Sequence, residues 1–593
     1  MIKMLMGNEA IAFGAIAAGV GVVTGYPGTP STEVLETVAK QNDGSIYVEW
    51  SVNEKVAMEV AAGAAYTGTR SMVTMKQVGL NVASDPLMSL ISVGVKGGMV
   101  VLVADDPGPI SSQTEQDTRF FGKYSNLPVF DPSSPEEAYQ MVQDAFEYSE
   151  RYGIPVFLRP TTRICHSCAS IEIREDKTPI RRGEFVKDSH FVIFPPLARR
   201  RHAEIEAQQP KIAEDFSAYP FNNVRGEGKL CVVASGICAA YAKEVLDEYA
   251  PQMKLIKIAT PFPLPEPFLL EALSGVERVL VTEELDPVME EGLIELAYTH
   301  GLKLEILGKR TGNTPKVSEF SYEIVRDAIA EFAGFAVKKD LNEVPQNLPV
   351  RPPVLCAGCP HRASFYAAKL AMKGQRAVFT GDIGCYTLGN AKPLEMCDTC
   401  LCMGASLTIA QGLARADKDA KYIGFIGDST FFHTGIPGVV NALYNGTDIT
   451  IAVLDNSTTA MTGHQPHPGI GKTMMGNESP KIDIAALLTA LGVGFVERVN
   501  PFELDKAVDT VRRATEHKGV SAVIFEAPCI AIYKKDRTFC VKDDCKKCGI
   551  CLKEIGCPAM SRAKDGRAVI EPSLCYGCGL CASVCKFGAI EER

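Results

Sequence analysis

The end of the chain tolerates few folds. Cys545, Cys548 and Cys551 are followed by Cys557-Pro558, and Cys575, Cys578, Cys581 and Cys585 then follow the pattern C-x2-C-x2-C-x3-C. Thiolates at every third residue wrap a short loop round whatever they bind. That suits an iron–sulfur cube, whereas structural zinc is ordinarily held by separated pairs of ligands. Disulfides would be another use for twenty cysteines, as in secreted chains. The opening MIKMLMGNEA has no apolar core ending at a small-residue cleavage site, so a reducing, cytoplasmic and oxygen-poor setting is expected. The stretch from Ala10 to Val23 is too rich in Gly and Ala and too short to span a membrane.

The 593 residues leave room for roughly four domains. Up to Thr162 helical and strand patterns alternate: NEAIAFGAIAAG is helical, VGVVTGYPGTP is a strand running into a Gly/Pro loop, and EKVAMEVAAGAAYTG is helical again. This alternation predicts a parallel α/β sheet with working loops after the strand carboxyl ends. Residues 177–228 are charged and proline-interrupted, and we expect a connector with little regular structure. A second α/β unit starts at KLCVVASG, a polar, Pro-bearing linker follows over 338–354, and a third α/β unit runs over 351–535. The net charge of −10 and the lack of a long basic run argue against a nucleic-acid partner.

The third unit holds Gly427-Asp428-Ser429 and, 25 residues further on, Asp455-Asn456. A hard cation on a diphosphate needs oxygen ligands from neighbouring strand ends. Asp428 offers a carboxylate oxygen, Asn456 an amide oxygen and Thr458 a backbone carbonyl. The pattern resembles the thiamine diphosphate motif, although Ser429 and Asp455 depart from its Gly and Asn. Two ordinary strand-end loops would look similar. Thiamine enzymes also carry a glutamate that hydrogen-bonds the aminopyrimidine ring, and VNEKVAMEVAAGAAYTG resembles the helix that bears it. Glu54 lies nine residues before Gly63, as that likeness requires, with Glu49 and Glu59 as alternatives.

The tail resembles two-cluster bacterial ferredoxins over about 45 residues, in which the fourth cysteine of each run serves the other cluster. By that rule Cys545, Cys548, Cys551 and Cys585 hold one [4Fe–4S] cluster, and Cys557, Cys575, Cys578 and Cys581 the other. The tail departs from them in Lys586, where proline is usual, and in the gap between Cys551 and Cys557. Across nearly the whole chain, TGYPGTPSTEV, LCAGCPHR, GDIGCYTLG, CMGAS, GDSTFFHTG and TAMTGHQPHPG together resemble the α subunits of indolepyruvate:ferredoxin oxidoreductases. This resemblance implies a multidomain α/β fold: a thiamine pyrimidine-binding domain over 1–176, the connector, a transketolase C-terminal-like domain over 229–335, a diphosphate-binding domain over 351–535 and the ferredoxin-like domain over 536–593. It implies cofactor contacts from Gly381, Asp382, Met403, Gly404, Gly427, Asp428 and Asn456, with Mg²⁺ on Asp428, Asn456 and Thr458. It implies substrate contacts from Thr29, Lys76 and His464, and a third, proximal cluster on Cys356, Cys359, Cys385 and Cys529, with Cys402 an alternative fourth ligand. His361, His433 and His467 join His464 in the site loops without an assigned role.

The implied reaction is oxidative decarboxylation of an arylpyruvate such as indole-3-pyruvate, with the acyl group passed to coenzyme A and two electrons to ferredoxin. The implied assembly is a heterotetramer with a smaller β subunit. A cluster-bearing tail is then the exit for those electrons. Two other readings use the same residues differently. One is a non-oxidative thiamine-dependent decarboxylase, which would have no use for eight well-spaced tail cysteines. The other is an electron carrier with a spent enzyme body, which would have no use for Glu54, Asp428 and Asn456. A different 2-oxoacid also remains open as substrate.

Overall fold

The computed structural model describes residues 1–338 and 347–593. They form two compact units, Met1–Val344 and Pro345–Arg593. Part of the linker expected over 338–354 falls on residues 339–346, outside the described residues.

The first unit contains a six-stranded parallel sheet in the order Tyr47–Trp50, Val22–Gly25, Ser71–Lys76, Met99–Ala104, Val156–Leu158, Val129–Phe130. Its central strand, MVVLVA, is apolar throughout and buried throughout, as a strand covered on both faces must be. Each Val or Leu so buried contributes roughly 1.5–3 kcal/mol. The helix Pro135–Tyr152 shows why sequence marks its ends. Ser134 caps it by accepting from Glu137 N–H, Pro135 sits in its first turn and Gly153 closes it at φ +65°. A five-stranded sheet follows in the order Glu305–Leu307, Arg278–Thr282, Glu227–Ser235, Met253–Ile258, Asn223–Arg225, with only the last strand antiparallel.

The stretch expected to have little regular structure contains a 23-residue helix, Pro195–Ser217. Its buried residues Leu197, Arg201, Ile205, Ile212 and Phe216 recur at helical spacing, but basic residues and Pro210 dilute the stripe. Pro at the helix start is the favoured place for it, and tertiary contact carries the chain past Pro210.

Buried charges join the loops of the two sheets of this unit. Arg119 pairs with Asp117 at 2.5 Å and with Glu283 at 2.7 Å, and donates to the Glu284 carbonyl at 2.8 Å. Arg159 pairs with Asp105 at 2.7 Å and lies 3.3 Å from Asp131. Burial outweighs the Arg159 charge and pushes the Asp105 carboxyl up to about 6; burial likewise pushes Glu284 up to about 7.

The second unit has a five-stranded parallel sheet in the order Ala377–Thr380, Lys421–Gly427, Ile449–Asp455, Val520–Glu526, Phe495–Val499. Two small antiparallel ribbons, Phe539–Val541 with Ile590–Glu592 and Met560–Arg562 with Ala568–Ile570, frame the cysteine-rich end. Among the described residues no helix is long and apolar enough to cross a membrane.

Candidate functional site

Three adjacent strands of the second unit end side by side, and their carboxyl ends carry the expected cofactor residues. Ala377–Thr380 runs into Gly381-Asp382, Lys421–Gly427 into Asp428, and Ile449–Asp455 into Asn456. This is where parallel sheets place their ligands. Asp428 is buried. Its Oδ1 accepts from Ser429 N–H at 2.8 Å, its Oδ2 accepts from Asn456 N–H at 3.1 Å, and His467 Nε2 lies 3.2 Å from Oδ2. Burial works against the ionised form, but His467 and the Ser429 amide prevail and hold the carboxyl below its usual range. Asn456 Oδ1 accepts from Thr458 N–H at 3.2 Å and Nδ2 lies 3.2 Å from His361 Nε2. His361 is buried, which pushes its pKa down to about 4 and keeps it neutral.

Asp382 organises the neighbouring turn. Its carboxylate accepts from Gly404 N–H at 2.9 and 2.8 Å and from Ser406 Oγ at 3.1 Å. Burial pushes it up to about 7 against these bonds. Gly404 has φ +83° and its Cα lies against Thr434, whose hydroxyl donates to the Met403 carbonyl at 2.8 Å. Only glycine fits both constraints. Gly427 lies under the Tyr386 ring, where a Cβ would come within 2.6 Å of Cε1. After Asp428 the backbone passes through a π-helical turn, Phe431–Gly435, that buries His433, a distortion frequent at functional sites. His464 sits at φ +69° with an exposed side chain, its N–H on the Thr459 carbonyl at 3.0 Å.

In the first unit, Asn53 caps the helix Glu54–Tyr66 by accepting from Val56 N–H, and Glu54 is buried in its first turn. The Glu54 carboxyl rests on Gly79, where a Cβ would lie 2.6 Å from Oε1. Lys76 ends its strand beside Glu54 and Asp106: burial pushes its ammonium down, and those two carboxylates oppose the shift. Lys76 also packs on Gly28, and the adjacent Thr29 carbonyl accepts from Ser111 Oγ at 3.2 Å. The structure thus brings Thr29, Lys76 and Glu54 together. Gly79 and Asp106 complete the group; Gly79 lies in MKQVGLN (Met75–Asn81), which follows a strand and is expected to line the substrate pocket, whereas Asp106 was not among the expected residues. The DD of VADDPGP follows a strand, which is the one signal that could have found it.

Among the described residues no three His, Cys, Asp or Glu side chains close on one point as a single ion requires. The tail thiols instead line two cavities. One has Cys545, Cys548, Cys551 and Cys585 in its wall. The other has Cys557, Cys575, Cys578 and Cys581. Cys548 is exposed, whereas none of the second four is. Cys359 also lines the second cavity. Its neighbour in sequence, Cys356, lies with Cys385 and Cys529: burial and then these sulfurs push the Cys385 thiol up to about 11. Cys402 lies by Asp382 and Cys400 instead. Arg362, buried beside the second cavity, donates to the carbonyls of Ile555 at 2.7 Å and Gly556 at 2.9 Å, tying the helix Pro360–Ala371 to the tail. Its place three residues after Cys359 in CPHR was the available signal.

Three stretches of the chain match known protein families. Residues 13–210 match the thiamine diphosphate-binding domain of pyruvate flavodoxin/ferredoxin oxidoreductases. Residues 382–525 match the C-terminal binding domain of thiamine pyrophosphate enzymes, and residues 568–591 a 4Fe-4S binding domain. Fold and site define a thiamine-dependent 2-oxoacid:ferredoxin oxidoreductase. Indolepyruvate oxidoreductase subunit IorA of Methanothermobacter marburgensis is 43% identical over 99% of this chain and 97% of its own length. The subunit of the same name from Thermococcus kodakarensis is 42% identical over 99% and 96%. The chain belongs to the indolepyruvate oxidoreductase IorA family. A solved 2-oxoglutarate:ferredoxin oxidoreductase from Magnetococcus marinus aligns at 18% identity with a TM-score of 0.45, over 56% of this chain and 65% of that one.

Proposed function

We propose that this chain is the α subunit of a cytoplasmic α2β2 enzyme that oxidatively decarboxylates arylpyruvates, indole-3-pyruvate above all, transferring the acyl group to coenzyme A and two electrons to ferredoxin. The observation that carries the oxidative reading is the pair of tail cavities, each walled by four thiols at cluster spacing. A decarboxylase that released an aldehyde would have no use for them.

The residues fit the groups this requires. Thiols in fours lining one cavity each, at ferredoxin spacing, suit [4Fe–4S] cubes better than single ions. Asp428 is a buried carboxylate kept ionised, and with Asn456 and the Thr458 carbonyl it offers the hard oxygen ligands Mg²⁺ takes. Gly381, Asp382, Met403, Gly404 and Gly427 form the small-residue turns that let backbone approach a diphosphate. Cys356, Cys385 and Cys529, with Cys359 adjoining, would hold a proximal third cluster. When bound, thiamine diphosphate supplies the electron sink for loss of carbon dioxide, and the clusters supply one-electron relays.

The chain's own residues do the rest. Glu54 holds the carboxyl that hydrogen-bonds the aminopyrimidine and exchanges its proton. Thr29 and Lys76 orient the substrate carboxylate, with His464 as a further contact in the assembled enzyme. Neutral His361 lies against the Asn456 amide nitrogen, which would leave the amide oxygen to the cation. We read residues 1–176 as the pyrimidine domain, 177–228 as a connector, 229–335 as the transketolase C-terminal-like domain, 351–535 as the diphosphate domain and 536–593 as the cluster domain.

The test is anaerobic viologen or ferredoxin reduction by the chain co-purified with its partner subunit, with Mg²⁺, thiamine diphosphate and coenzyme A. Indolepyruvate, phenylpyruvate, pyruvate and 2-oxoglutarate would be compared. Reduction that needs coenzyme A and an aryl substrate is expected. Aldehyde release without reduction would replace this reading with the non-oxidative one, and preference for pyruvate or 2-oxoglutarate would move the substrate class.

A further inference from the structure

A third set of sulfurs lies outside the cavities and the Cys356 group, in Cys397-Asp398-Thr399-Cys400. The Cys397 and Cys400 sulfurs are neighbours that interact directly. Their loop is fastened to a strand end. Gly381 N–H donates to the Thr399 carbonyl at 2.7 Å, and Thr399 bridges Thr380. The Cys397 thiol donates to the Thr399 carbonyl at 3.4 Å, and its sulfur lies against Gly381, where no Cβ would fit. The Cys400 thiol donates to the Asp382 carbonyl at 3.6 Å. The two sulfurs therefore clamp Gly381-Asp382, the turn whose carboxylate holds Gly404 N–H.

The pair is also asymmetric. Cys400 is exposed and Cys397 half-buried. The exposed sulfur is the one that a small disulfide reaches first, and the half-buried one stands behind it in the same loop. An accessible thiol beside a less accessible partner in a C-x2-C loop is the arrangement of reversible dithiols.

We propose that Cys397 and Cys400 are a reversible disulfide site, oxidised by low-molecular-weight disulfides, whose closure loosens the Gly381-Asp382 and Met403-Gly404 turns from the cofactor diphosphate. The Cys400 thiolate attacks one sulfur of the small disulfide, forming a mixed disulfide and releasing one thiolate. Cys397 then loses its proton to solvent and attacks the Cys400 sulfur, releasing the second thiolate. The dithiol gives up two electrons and two protons, and the small disulfide becomes two thiols. Bonded sulfurs sit about 2.05 Å apart, so closure draws Cys397 off Gly381 and Cys400 off the Asp382 carbonyl. The inference rests on the reading of these turns as diphosphate contacts.

The test uses the full chain with its partner subunit, purified without oxygen and equilibrated with graded mixtures of glutathione and glutathione disulfide. Differential alkylation with mass spectrometry follows Cys397 and Cys400, calorimetry follows thiamine diphosphate affinity, and iron is counted in parallel. The expected result is joint loss of two hydrogens from these two cysteines with iron unchanged. With it, thiamine diphosphate affinity falls about tenfold, and a dithiol reductant restores it. Cys397→Ser and Cys400→Ser each remove the oxidation-dependent fall. Thiols that stay alkylatable in the oxidising mixtures overturn the proposal, as does a disulfide that leaves affinity unchanged. Asp382→Asn tests the turn separately: unchanged thiamine diphosphate affinity in that variant overturns the diphosphate reading whatever the two thiols do.

Discussion

Glu54 is buried at a helix start with its carboxyl resting on Gly79, so two substitutions probe one position from opposite sides. Glu54→Gln keeps the size and removes the exchangeable proton. Substrate-driven viologen reduction should fall by about 10² or more while thiamine diphosphate binding, followed by calorimetry, stays within a few-fold. Retention of full turnover would remove Glu54 from the chemistry. Gly79→Ala places a methyl 2.6 Å from Oε1 and should lower turnover with Glu54 intact, and the same assay decides it. Glu54 was legible because a local spacing marks it. Asp106 was not, because what makes it matter is the approach of three segments that a linear pattern does not contain.

At the scale of elements, the parallel strands were legible because continuous apolar runs ending in small or acidic residues are their local signature. The helix Pro195–Ser217 was not, since its buried stripe is interrupted by charge and proline and gains its stability from what it packs on. The π-helical turn at Phe431–Gly435 has no local pattern to read. The crossed use of the tail cysteines makes a prediction at this scale. Cys585 closes the loop of Cys545, Cys548 and Cys551, although it lies among the other run in sequence. Cys585→Ala should therefore cost the chain about four irons and leave the cavity of Cys557, Cys575, Cys578 and Cys581 loaded. Iron counting with electron paramagnetic resonance of the reduced protein would show it, and loss of the other signal would mean the runs do not cross.

The first unit as a whole depends on proton uptake. Burial raises Glu284 from about 4.5 to about 7, so between those values the native fold holds a proton that the unfolded chain has released. Its contribution is greatest in acid and is lost as pH rises through that window, by roughly 3 kcal/mol. Glu284→Gln keeps an acceptor for Phe320 N–H, which now bonds Oε1 at 3.0 Å, and removes the ionisation. Thermal unfolding of this variant should gain on the parent at pH 8 relative to pH 5, and parallel curves would show that the group does not govern the unit. Nothing of this network was legible: Arg119 and Glu283 stand 164 residues apart, and only the folded chain introduces them.

The tail cavities also differ in depth. The first shows an exposed cysteine, Cys548, at its wall, while every cysteine of the second is at least half-buried. If both hold clusters, air damages such a chain from the rim inward. The outlet would fail first and the interior last, so that an enzyme briefly exposed to oxygen becomes one that can still take up substrate but has nowhere to send its electrons.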